Sequence, residues 1–522
     1  MNDSIVGAPA RPKRFGHPRG LFVLFFVEFW ERFSFYGMRA LLVLYLVAQT
    51  TGNDNPGLGW IGPNAYAFYG WYLMFVYVMS IPGGLIADKL LGQKRAVMLG
   101  GWLLCAGHLT LAVQATWAFY LGIVLIILGV GCLKPNASTL VGRLYEDEPE
   151  KRDMGFYIYY MGINLGAFTA PLIVGYVGEK IGWHYGFGLA GIGMIVGQLI
   201  FISGRRHLRG IGDLPVRKKV VNAPQIHLLR NAPQIHLLRD IFKHRNATLG
   251  LVFTALIGIG VWIGLHTWSY GLLIIALSLA VGVLLVVYND GTAVEKDRIK
   301  VILFSFLLVF VFFTAFDLAG SLLNVYAQQK TDRQLWGFEI PASWFQSLNS
   351  LFIILFATLV GSFWIWWGKK RRRLSTSVFK MAIGIIIQGI GFFFMSAAAV
   401  QYRTQGASSM LFLVLFYLFS TLGELCASPV SLSFTTKLAP LRWGSFFMGA
   451  YFAATGLGDK LGGLIAESTA YFTEFEVFTG IALCSILLAL LVLAVVKPLK
   501  RLAHGVEDAG FAKGVGLQTE IE

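Results

Sequence analysis

LFVLFFVEFWERFSFYGMRALLVLYLV, residues 21 to 47, is long enough to cross a bilayer as a helix, yet Glu28, Glu31, Arg32 and Arg39 interrupt it. On a helix, positions 28, 31, 32, 35, 36 and 39 follow the three-and-four spacing, so both carboxylates, both guanidinium groups and Tyr36 share one stripe. A charge at mid-membrane costs about 2.5–3.5 kcal/mol even on the lenient insertion scale. The stripe is therefore expected to face protein or water, and Glu28 can pair with Arg32 at i,i+4 in the favoured order. One such couple would serve as glue between helices; four charges on one face point to a path for an ion or a solute.

Outward from this stretch, the whole chain reads as an all-α polytopic membrane protein. Its 522 residues are 56% hydrophobic and only 14% charged, with a mean hydropathy of +0.65. Apolar runs of span length fall at about 21–47, 64–87, 95–115, 118–140, 155–177 and 185–203, then at 247–268 and 270–288. Six more fall at 299–326, 343–367, 377–400, 409–433, 444–466 and 474–497, so about fourteen transmembrane helices are expected. The polar, basic start runs straight into the first full-length span, which argues against a cleavable signal peptide.

A net charge of +15 would suit nucleic acid, but its placement argues against that partner. Lys and Arg gather in the N-terminal tail, in DKLLGQKR (88–95), in the 205–245 linker, in GKKRRR (368–373) and in KPLKR (497–501), while the loop 50–64 has none. A cytoplasmic N-terminus puts all these clusters on one side, as the positive-inside rule requires, and puts both termini there. The expected location is a cell membrane, the bacterial inner membrane, with basic faces against anionic lipid. Cys105, Cys132, Cys426 and Cys484 lie singly inside spans, so neither a disulfide framework nor a metal site is expected, and no cofactor motif is seen.

The chain divides into a tail (1–20), six spans (21–203), a basic linker (204–246), two additional spans (247–288), six further spans (289–497) and a second tail (498–522). The linker holds NAPQIHLLR twice in tandem, at 222–230 and 231–239, in a segment tolerant of duplication. The runs at 247–268 and 270–288 hold no ionisable residue but His266. Setting them aside leaves six spans before and six after, the two-bundle plan of major facilitator transporters, with a cleft at mid-membrane. GGLIADKLLGQKR (83–95) resembles the facilitator signature at the cytoplasmic end of helix 2, which implies that Asp88 is a gate residue.

EFWERFSFYG, with Glu28, Glu31, Arg32, Phe33, Tyr36 and Gly37, resembles the ExxERFxYYG motif of the proton-dependent oligopeptide transporter family. Residues 155–194, GFYIYYMGINLGAFTAPLIVGYVGEKIGWHYGFGLAGIGM, resemble that family's second signature, on helix 5. The likeness continues through KPNASTLVGRLY (134–145), ELCASPVSL (424–432) and SFFMGAYFAATGLGDKLGG (445–463). Four positions depart from it. Asp317 and Leu318 stand where the family has Glu-Gln, Phe35 replaces the first Tyr of YYG, and Tyr451 stands where a Trp is common.

The residues reach related ground by themselves. Lys134 stands before Pro135 in helix 4, where a buried ammonium needs a carboxylate, and Asp317 and Glu424 lie in apolar surroundings as candidate proton carriers. A peptide has an ammonium at one end and a carboxylate at the other, so its cleft needs a cationic and an anionic end. Arg32, Arg39 and Lys134 come from the first half of the chain and Asp317 and Glu424 from the second. The resemblance implies that Arg32 and Lys134 lie near the peptide carboxylate and Glu424 near its amino group. It implies too that Tyr36, Tyr77, Asn164 and Asn349 hydrogen-bond the peptide backbone. In the expected cycle Glu28, Glu31, Arg32, Asp317 and Lys134 couple protons, Asp317 pairing with Lys134 while the site is closed to the cytoplasm. Being a methylene shorter than Glu, Asp317 is expected to reach Lys134 or Arg39 at longer range or through water.

These readings converge on a proton-coupled symporter importing di- and tripeptides by alternating access, acting as a monomer. The alternative within the same family is a carrier of a peptide-like drug, nitrate or another small anion; Glu424 favours a zwitterion, because an acid repels an anion. No nucleophile–base or metal-ligand constellation suggests an enzyme. A channel would need a continuous polar stripe, and a receptor a folded soluble domain, and the sequence holds neither.

Overall fold

The computed structural model describes residues 13–52, 54–146, 148, 151–213, 274, 281–370, 376–440 and 443–506. The duplicated nonapeptide, the 247–268 run and most of the 270–288 run lie outside the described residues; 281–289 are helical.

Twelve long helices carry the described chain. The first six are α1 (Arg19–Val47), α2 (Gly62–Val78), α3 (Gln93–Leu111), α4 (Thr116–Leu144), α5 (Arg152–Ala170) and α6 (Trp183–Gly204). The second six are α7 (Ala293–Phe316), α8 (Ser347–Lys370), α9 (Ser377–Gln405), α10 (Met410–Leu438), α11 (Gly444–Glu467) and α12 (Glu474–Leu502). Eight of them, α4 to α10 and α12, are long and apolar enough to cross a membrane by length and composition. Each of the twelve overlaps a run expected from hydropathy. Most extend past it at one end or both, because apolarity marks only the hydrocarbon-facing part of a helix whose ends reach polar headgroups.

Local chemistry sets the ends and the breaks. At the start of α9 the Thr376 hydroxyl accepts from the Phe379 amide at 3.2 Å, and Gly406 closes the helix in the left-handed region at φ 79°. α6 is capped from the α1–α2 loop: Asn55 Oδ1 accepts from the Trp183 amide at 3.1 Å, and the Trp183 indole donates to the Asn55 carbonyl at 3.0 Å. α2 continues through Ser80–Ile86 into a π-helical turn, Ala87–Leu91, which contains Asp88. α5 likewise runs on through a π turn, Pro171–Gly175, at a proline that lacks the amide hydrogen. α7 is interrupted: Asp317–Gly320 is a 3-10 turn, Ser321 leaves helical geometry at φ −118° and ψ −96°, and helix resumes over Leu322–Lys330.

The described residues fall into two compact units. The first takes those within 1–215, 308–430 and 452–493, and the second those within 216–307, 431–451 and 494–522. In the first, α1 packs between α5 and α6, and α3 against α4 and α6. α2 and α11 meet glycine to glycine: a Cβ added at Gly463 would lie 2.9 Å from the Gly70 Cα, so the backbones touch with no side chain between them. In the second, the Ser431 and Tyr451 hydroxyls bond at 3.1 Å and Phe306 sets its edge against Tyr451.

Outside the helices, Glu148 accepts hydrogen bonds from Lys13 and Lys151, which pull its carboxyl down to about 2. Glu339 lies 2.5 Å from Lys180 and 2.6 Å from Arg333; the Lys180 hydrogen bond chiefly lowers its carboxyl.

Candidate substrate and proton site

The charged stripe of α1 turns inward. Glu28, Glu31, Arg32 and Arg39 are 2%, 0%, 4% and 8% exposed, which matches the expectation that they avoid lipid. Arg32 Nε lies 3.0 Å from Glu28 Oε1 and also contacts Glu31, and the Tyr159 hydroxyl of α5 donates to Glu28. Arg32 Nη2, though buried, meets no acceptor. The charges of this turn thus compensate one another along α1, while Glu31 and one arm of the guanidinium fork lack well-formed hydrogen bonds.

Further along α1, Arg39 makes the reach to α7. Its Nη2 donates to Asp317, its Nε donates to the Tyr69 hydroxyl of α2 at 2.5 Å, and its guanidinium lies 5.7 Å over the Tyr36 ring. Of the two cations expected within range of Asp317, Arg39 is the one that meets it here. Lys134 instead sets its ammonium 4.4 Å over the Tyr77 ring and 5.9 Å from that of Phe452. The physical reason is reach. The guanidinium arm of Arg39, aimed by Tyr69, compensates for the short aspartate directly, and no bridging water is needed. Lys134 rests on a π face and acts on Glu31, Glu28, Arg32 and Asp459 through space.

Next to Lys134, Pro135 inside α4 leaves the helix without one amide donor, and Asn136 donates to the Cys132 carbonyl at 2.7 Å. On α10, Glu424 accepts from Asn349 of α8 at 2.8 Å, and Asn349 also donates to Thr421 at 3.1 Å. Tyr36 and Arg39 are among the groups that feel the Glu424 carboxyl. Tyr77 stacks on Phe452 at 6.4 Å and 16°. Tyr36, Tyr77, Lys134, Asn349 and Glu424 are half-buried, the exposure of groups that line a hollow rather than fill a core.

Asn164 and Asp88 are the remaining residues expected at the site. The Asn164 amide donates to the Tyr160 carbonyl of its own helix at 3.0 Å. Asp88 lies on the π turn of α2, and its side chain is outside the described part of the structure. Three site residues were not anticipated: Tyr69 and Tyr159, which orient Arg39 and Glu28, and Asp459 of α11, which is 2% exposed. The signal for Asp459 was available, because Asp459 and Lys460 interrupt an apolar run just as the charges of α1 do. Tyrosines carry no such mark in a chain with 20 of them.

Charged side chains of α1, α4, α7, α10 and α11, buried or half-buried among aromatic rings, on a scaffold in which eight helices are long and apolar enough to cross a membrane, are the arrangement of a multi-pass membrane transporter. The POT family model matches residues 94–481, and the chain belongs to the POT family of transporters. It is 38% identical to an uncharacterized transporter, YclF, of Bacillus subtilis over 97% of this chain and 99% of that protein. It is also 38% identical to the peptide transporter YePEPT of Yersinia enterocolitica over 94% of this chain and 96% of that one. A di-/tripeptide transporter of Lactococcus lactis is 34% identical over 94% and 97%.

Among solved structures, a peptide transporter POT in complex with sulfate superposes with a TM-score of 0.78 at 35% identity, covering 94% of this chain and 97% of that one. A POT family transporter in complex with 5-aminolevulinic acid gives 0.77 at 30% identity, over 93% and 98%. The all-α fold of major facilitator type expected from the span pattern is therefore the fold of this chain.

Proposed function

We propose that the chain is a proton-coupled symporter that imports di- and tripeptides by alternating access, as a monomer in a bacterial inner membrane with both termini cytoplasmic. The observation that carries this reading is the state of Arg32: buried among two acids, it keeps Nη2 without an acceptor, ready for a substrate carboxylate. Lys134 adds positive potential at that end. Glu424, presented by Asn349, suits the peptide ammonium, while Tyr36, Tyr77, Asn164 and Asn349 supply groups for the peptide backbone. Relatives named as peptide transporters support the same cargo.

Coupling follows from ion pairs that cannot all persist once a proton arrives. Asp317 neutralises Arg39, and Glu28 and Glu31 restrain Arg32. A proton on either set weakens one pair and shifts the balance between two arrangements of the helices, with Asp88 acting at the gate.

Purified protein in vesicles tests this. Uptake of a dipeptide should rise with an inward proton gradient, and uptake indifferent to the gradient overturns the reading. Thermal stabilisation by di- and tripeptides, amino acids, a peptide-like drug and nitrate then separates peptide from the alternative cargoes, because a ligand stabilises the state it binds.

A further inference from the structure

Asp459 sits where three helices crowd together. Its own carbonyl lies 3.2 Å from where a Cβ on Gly70 of α2 would stand, and the preceding Gly458 is backed by the Phe310 carbonyl of α7 at 2.6 Å from its notional Cβ. Such packing leaves no room for a hydration shell, and Asp459 is 2% exposed. Yet neither carboxyl oxygen meets a hydrogen-bond donor. The neighbouring Lys460 does not serve, since its ammonium lies 4.5 Å over the Trp71 ring of α2.

What Asp459 does meet is a second acid. Its carboxyl is within side-chain hydrogen-bonding reach of Asp317, whose other contact is Arg39. Two carboxylates are acceptors only, so a hydrogen bond between them requires that one carry a proton. Two like charges side by side in a dry site do not both stay ionised. The remaining groups that act on this pair are Arg39 and Tyr36 of α1, Tyr69 and Tyr77 of α2, Lys134 of α4 and the Glu424 carboxyl of α10. Arg39 already bonds Asp317, and Lys134 is shared with Glu28 and Glu31.

We propose that Asp459 and Asp317 share one proton, which rests on Asp459 while Arg39 holds Asp317, so that Asp459 is a proton-holding residue of the transport cycle. This rests on the proton-coupled reading above and adds a place where the proton waits. In the transfer, the O–H bond on Asp459 breaks as one forms on Asp317, and each oxygen keeps its electron pair. The net charge of the pair is unchanged. Its negative charge moves from α7 to α11, and the ion pair of Arg39 is handed over with it.

Infrared spectra of the full-length protein, with isotope-labelled aspartate, give a readout independent of transport. At neutral pH a protonated-aspartate carbonyl band is expected, lost in Asp459→Asn. In proteoliposomes, Asp459→Asn should lower the ratio of gradient-driven uptake to counterflow by about tenfold or more, the effect of one decade in proton affinity, and Asp459→Glu should recover much of it. Asp459→Asn with undiminished coupling and an unchanged band overturns the proposal. If that variant does not fold, absence of any protonated-aspartate band in the unmutated protein overturns it instead. Unmutated protein whose uptake ignores the proton gradient refutes the coupled-symport reading alone, and the infrared band still decides whether Asp459 holds a proton.

Discussion

Arg39 of α1 donates to Asp317 of α7, at the residue where α7 leaves α-helical geometry. A guanidinium and a carboxylate, 8% and 5% exposed, thus neutralise each other across 278 residues of sequence, with the Tyr69 hydroxyl fixing the orientation of the arginine.

Removing the acid of that pair leaves the buried Arg39 to Asp459, the other acid of the proposed proton-sharing pair. Asp317→Asn is therefore expected to lower stability, by up to about 3–5 kcal/mol where Asp459 keeps its proton. Arg39→Leu combined with Asp317→Leu removes both charges and should melt closer to the unmutated protein than either single variant. Thermal melts in detergent check the order. A double variant less stable than both singles counts against the pair.

The α1 stripe predicts a separation of two activities. Glu31→Gln retains the shape of the side chain but releases Arg32 from one of its acids, so gradient-driven dipeptide uptake should collapse while counterflow exchange continues. Uptake and exchange measured on the same vesicles check this, and equal loss of both would assign Glu31 to binding rather than to coupling.

Glu179 ties the end of the α5 extension to the approach to α8. Its two oxygens accept from the Ala342 and Ser343 amides at 2.9 and 2.8 Å, the start of the 3-10 turn Ala342–Gln346. Glu179→Ala leaves two donors at a helical N-terminus unsatisfied, for an expected loss of about 1–3 kcal/mol, read as a lowered melting temperature.

Gly463→Ala places a methyl 2.9 Å from the Gly70 Cα, where only backbone can yield. The expected cost is about 1–3 kcal/mol of overpacking. Gly480→Ala on α12, whose added Cβ meets nothing within 4 Å, should be nearly silent and serves as the control in the same melts.

Glu339 supplies a pH dependence. Lys180 and Arg333 hold its folded-state carboxyl below the ordinary 4.5, so the stabilisation is complete above that value and fades as the pH falls through the lower, folded one. The melting difference between Lys180→Ala and unmutated protein should therefore be present at neutral pH and vanish in acid. It is small, because Glu339 is well exposed and solvent screens the pair.

Much of this was legible from charge placed against apolarity. Four charges in one apolar run announce themselves, and so do Lys134, Asp317 and Glu424, because hydrocarbon tolerates ions only for a reason. The choice of partner was less legible. Whether Asp317 meets Arg39 or Lys134 depends on helix rotation and arm length, which hydropathy does not encode; the tyrosines that aim the charges look in sequence like any other aromatic. Asp459 passed unremarked within a stretch valued for its family likeness, although its charge stood as plainly as those of α1.

The gap in α7 at Asp317–Gly320 has a mechanical consequence. A continuous α-helix transmits a push along its axis like a strut, whereas the Leu322–Lys330 segment joins its stem through a tighter turn and one non-helical residue, Ser321. The ladder of hydrogen bonds is already open there, so the two pieces can change their mutual tilt without breaking it afresh. Asp317, the acid proposed to answer to the proton, stands at the elbow, where a change of charge would become a change of angle.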